Sequence, residues 1–92
     1  MSAQAYAAHV KYITLMTPPV TFGALILMAR KQKGLSQVVV SELLGYKYNL
    51  VHSWERNLRK PTAADWDDLK QLLSPELDIA AAEPLYEQWG LL

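Results

Sequence analysis

Residues 36–61, SQVVVSELLGYKYNLVHSWERNLRKP, decide how this chain folds. Ser36 is a residue type that caps helix starts, and the apolar spacing after it predicts a helix over 36–44 that Gly45 closes. A second helix is expected over 47–56. At about 100° per residue it turns Val51 and Trp54 inward, with Leu50 on their flank. Asn49, His52, Ser53 and Arg56 then form the outward face, which is polar and hydrogen-bonding. Asn57 can end that helix because asparagine tolerates the left-handed conformation.

Upstream, Pro18 and Pro19 interrupt regular structure, and a helix is expected over 20–33 that stops at Gly34, with Arg30, Lys31 and Lys33 in its last turn. Residues 3–16 are alanine-rich, and Tyr6, Val10 and Ile13 share one helical face. The β-branched run VKYITLMT also permits a strand; the helix is preferred. Downstream, Thr62 can cap a helix that carries Asp65, Asp67 and Asp68 in its first turns and Trp66, Leu69, Leu72 and Leu73 on one stripe. The tail is read as two short helical pieces broken at Pro84. These segments give a compact, five-helix, all-α fold, counting the helix in the first segment, divided into an extension at 1–19, a domain at 20–74, and a tail at 75–92 that packs on the domain or dimerises.

Ninety-two residues suit one small core. Cysteine is absent, so neither a disulfide nor a thiolate metal site staples the fold. The longest apolar run, FGALILMA at 22–29, is far short of the roughly 20 residues a membrane span needs. The opening MSAQAYAAHVKY has no basic segment before an apolar one, so no secretory signal is expected. A net charge of zero hides an asymmetry. Between residues 30 and 60 there are seven basic side chains and two acidic ones, whereas 61–92 hold Lys70 against seven acidic side chains. A basic middle suits a polyanion, with the acidic end turned away from it or toward a basic partner.

Two short helices joined at a glycine, the second amphipathic with a polar outer face, form a helix-turn-helix pattern. Residues 22–73 resemble the phage repressor and Cro class (XRE-type) of helix-turn-helix proteins. The likeness is carried by FGALILMARKQKGLSQ, SELLG, VHSWERNLRKP and LKQLL, and its register is kept without a gap from Phe22 to Trp54. The resemblance implies that the helix over 47–56 enters the major groove of double-stranded DNA. It gives Gln37 a phosphate contact and makes Tyr48, Asn49 and Ser53 base readers, with His52 beside them. It also implies a structural ion pair between Arg30 and Glu55. Chemistry agrees in part, since asparagine can bond an adenine edge bidentately and serine or histidine can donate or accept in the groove. Lys47, Arg56, Arg59 and Lys60 are then the phosphate contacts that set register.

The expected protein is a sequence-specific transcriptional regulator, a repressor that is autoregulatory and acts as a homodimer on an inverted repeat. Its expected place is the cytoplasm, on the nucleoid when bound to DNA. Two alternatives remain: an antitoxin-like regulator that also binds a small toxin protein, and an interaction module that has lost DNA binding. Both draw on departures from the family pattern, because Ala24, Leu25, Leu27, Met28, Val38, Val39, Leu50 and Leu58 are apolar where the class is usually polar. The proposed cover for this surplus is the N-terminal segment and the acidic tail, in one chain or across a dimer. Catalysis is not expected, and neither is a cofactor or metal. His9 and His52 have no metal-ligand spacing, and Ser53 beside His52 points about 100° away from it on a helix.

Overall fold

The computed structural model describes residues 20–89. The expectations for the segment before residue 20 lie outside the described residues. Five helices follow in order: α1 Phe22–Gln32, α2 Gln37–Leu43, α3 Val51–Glu55, α4 Ala63–Leu73 and α5 Ile79–Gln88. No strand occurs among the described residues.

Local chemistry explains most of the helix ends. Thr21, Ser36, Thr62 and Asp78 each accept a backbone N–H three residues on, at 3.1 Å in every case, which satisfies a donor that the first turn leaves open. Gly34 and Gly45 take φ of 74° and 89° in the turns after α1 and α2, a region that costs a side-chain-bearing residue more. Asn57 takes φ of 59° just beyond α3. Its side chain reaches back to the start of α1, accepting from the Gly23 N–H at 2.9 Å and donating to the Thr21 hydroxyl at 3.1 Å. One residue thus ends α3 and secures α1.

The core lies where α1 crosses α3 and α4. Ile26, Val40, Val51, Trp54 and Leu69 are fully enclosed, and burial of an aliphatic side chain of this size contributes about 1.5–3 kcal/mol. Gly23 permits the crossing: a Cβ there would meet the backbone carbonyls of Trp54 and Glu55. Leu50, counted with the apolar surplus, proves to be buried in this core.

Two expectations need correction. The helix expected over 47–56 is one and a half turns long, Val51–Glu55, so Lys47, Tyr48 and Asn49 belong to the turn ahead of it. The tail is one helix, α5, with Pro84 inside it. Proline removes one backbone donor there, while Ala82, Leu85, Tyr86 and Trp89 pack against the core on both sides of it. Tyr86 stacks on Trp66 with ring centroids 5.2 Å apart, and Trp89 meets Phe22 edge-on at 5.5 Å. Glu83 accepts from the Trp66 indole N–H at 3.1 Å, which pins α5 to α4.

Candidate nucleic-acid interface

The second helix of the motif is positioned by a chain of polar contacts that begins in the core. Glu55, on the inward side of α3, receives two bonds from the Arg30 guanidinium, from Nε and from Nη2, the latter at 3.0 Å. Both side chains are buried, and the Glu55 hydrogen bond raises the Arg30 pKa above its usual value. Arg30 Nη1 also donates to the Leu35 carbonyl at 2.9 Å, which ties the turn between α1 and α2. Gln37, the first residue of α2, donates to Glu55 at 2.9 Å and accepts from the Asn49 amide at 3.0 Å. Asn49 in turn accepts the His52 backbone N–H at 3.3 Å, supplying the cap that Leu50 cannot give α3. The buried Ser41 hydroxyl joins the same turn, donating to Asn49 at 3.4 Å and accepting from the Val51 N–H at 3.4 Å. Three helices are therefore held in one mutual orientation.

On the opposite side of α3 the groups face solvent. His52 and Arg56 are exposed and lie one turn apart at 3.5 Å, and Ser53 is half-buried. Tyr48 is 60% exposed beside Tyr46, with ring centroids 5.7 Å apart. Lys47 and Arg59 are exposed; Lys47 borders a surface depression with Tyr48 and Asn49, and Arg59 borders another with Tyr48. Polar side chains with cations close by suit a groove edged by phosphates.

Other residues that sequence reasoning placed on this face have further engagements. The Asn49 carbonyl oxygen already accepts two bonds, so bidentate pairing with adenine would require breaking the α3 cap; the second amide proton is the part left for a base. The Gln37 amide serves the internal chain. Lys60 donates to the Trp89 carbonyl at 3.2 Å and lies 4.5 Å from the centroid of the Tyr86 ring, which directs it toward α5. Lys33, part of the basic middle and the residue that ends α1, pairs with Glu76 at 3.1 Å and donates to the Ser74 carbonyl at 2.8 Å. Sequence reasoning missed Ser41, whose small polar side chain inside an apolar run was the available signal. It also missed the capping reach of Asn57 and the Tyr46 hydroxyl bond to Asp65, at 2.6 Å, for which no local pattern exists.

Residues 26–73, just over half the chain, match the family model described as helix-turn-helix. The chain belongs to the helix-turn-helix family. This helix-turn-helix protein is thus of the repressor and Cro (XRE) type, a kind of DNA-binding regulator. No curated protein and no solved structure matches it. Among the described residues no helix is long and apolar enough to cross a membrane, and no acidic or histidine cluster is placed to hold a metal.

Proposed function

We propose that this helix-turn-helix protein is a transcriptional repressor that binds an inverted-repeat operator as a homodimer and regulates its own gene from the nucleoid. The observation that carries the proposal is the two-sidedness of α3. Val51, Trp54 and Glu55 are buried against the core, while His52 and Arg56 are exposed, Ser53 is half-buried and Tyr48 is exposed in the turn before. Tyr48, His52 and Ser53 read base edges, with Asn49 adding one donor. Lys47, Arg56 and Arg59 contact phosphates, joined by the N-terminal end of α2 at Gln37. Selection from a random duplex pool tests this reading: the enriched sites should be inverted repeats with half-site centres about 10 base pairs apart, one helical turn. An absence of enrichment would contradict it.

A second reading adds a protein partner, such as a toxin. It is favoured by exposed apolar side chains away from the reading face. Leu43 is 60% exposed and borders a surface groove with Leu44 and Leu72, whose polar rim is Asp68 and Gln71. Co-purification of a small basic protein that dissociates on Leu43→Asp would support this reading.

A further inference from the structure

We infer that Tyr86, on the C-terminal helix α5, is a positioning residue for DNA binding, because it holds the segment 58–61 and with it Arg59 at the phosphate-facing edge of the interface. The inference rests on the DNA-binding reading above. It concerns a helix that lies wholly beyond the residues matching the family model.

The segment is secured at both ends. At one end Asn57 is locked to Thr21 and Gly23. At the other, the Tyr86 hydroxyl donates to the Pro61 carbonyl at 2.9 Å, and the Lys60 ammonium lies over the Tyr86 ring while bonding Trp89. Between these anchors are Leu58 and Arg59, both exposed. Two residues between fixed points have little freedom, since consecutive Cα atoms are about 3.8 Å apart.

The tyrosine can act as an anchor because its ring is packed on the core. Its ring stacks on Trp66 and tilts against Phe22 at 5.7 Å, so its hydroxyl position follows the core. An exposed cationic segment without such support would have to be ordered when DNA binds, and that entropy would be lost from affinity. Lys60 is thus a tie between loop and α5, while Arg59 makes the phosphate contact.

Tyr86→Phe tests this directly, because phenylalanine keeps the stack and the cation–π contact and removes only the bond to Pro61. The readout is anisotropy of a labelled duplex of scrambled sequence across a salt series, for the whole chain. Affinity should fall by about three- to tenfold, the range one hydrogen bond is worth, and the slope of log K against log salt should flatten by up to about 0.9, one phosphate contact. In an Arg59→Ala background the same change should cost less than about twofold, because the residue it positions is gone. A merely structural role would lower the thermal midpoint and leave the salt slope intact. Wild-type affinity and slope for Tyr86→Phe, or an undiminished loss in the Arg59→Ala background, would overturn the inference. If the unsubstituted chain binds no duplex, the DNA-binding reading itself fails, and that is seen before any variant is made.

Discussion

The Asn49 side-chain amide donates to the side-chain oxygen of Gln37 at 3.0 Å, joining the turn ahead of α3 to the first residue of α2. Because Gln37 also donates to Glu55, the two helices of the motif are linked through side chains as well as through the Gly45 turn.

Asn49→Ala should therefore affect stability as well as DNA recognition. It removes the α3 cap, and loss of such a cap costs about 0.5–2 kcal/mol, or a fall in thermal midpoint of about 4–8 °C per kcal/mol for a domain of this size. Asn49→Asp keeps the capping oxygen and loses the donor to Gln37, so it should recover most of the midpoint while DNA affinity stays reduced. Calorimetry on the two variants separates the roles; equal midpoints for alanine and aspartate would contradict the capping assignment.

Glu55→Ala would leave the Arg30 guanidinium buried beside an empty position. Breaking a buried pair by removing one partner costs about 3–5 kcal/mol, and here Gln37 loses an acceptor as well. Replacing both ions, Arg30→Met with Glu55→Leu, should cost less than Glu55→Ala alone. Urea unfolding of the three chains provides the comparison, and a double variant less stable than the single one would refute the argument.

Gly23→Ala introduces one methyl group where α1 meets α3. The new carbon would fall 2.6 Å from the Trp54 carbonyl oxygen, a backbone atom that cannot rotate away. Overpacking of this kind typically costs about 1–3 kcal/mol, although alanine is the better helix former. The helices must separate, so DNA affinity should fall together with the midpoint. An unchanged or raised midpoint would show that this crossing is looser than the geometry requires.

Alkaline pH should weaken the fold through Tyr46. Its hydrogen bond to Asp65, followed by burial, pushes its pKa from 10.0 up to about 12. The folded state holds this proton more tightly than the unfolded chain, so the stabilisation is complete below about pH 10 and is lost as pH rises toward about 12. The stability difference between wild type and Tyr46→Phe should narrow across that interval. Chemical denaturation at several pH values measures it, and a constant difference would contradict the assignment.

The features legible in the sequence were those with local causes. Ser36 and Thr62 cap because their hydroxyls reach a backbone N–H three residues away. Gly34 and Gly45 mark turns because their backbone takes positive φ. The outward face of α3 was legible through helical periodicity, which holds for His52, Ser53 and Arg56. Its start was not, because Tyr48 and Asn49 fit a helical pattern equally well until Asn49 is seen to cap from outside. Pro84 misled for the opposite reason: its local cost is visible in sequence, whereas the packing of Tyr86 and Trp89 on Phe22 and Trp66 is not. Contacts such as Tyr86 to Pro61, 25 positions apart, leave no pattern in a single sequence.

If α3 and the turn before it read a specific DNA sequence, the chain must distinguish an operator from an unrelated duplex. The most direct measurement is anisotropy of labelled DNA from upstream of the chain's own gene against a scrambled duplex across a salt series. Specific regulation predicts discrimination of roughly a thousandfold or more, with His52→Ala and Ser53→Ala eroding it and Arg59→Ala weakening both duplexes alike. Equal, weak and steeply salt-dependent binding to the two duplexes would contradict specific reading and reduce the interface to a basic surface.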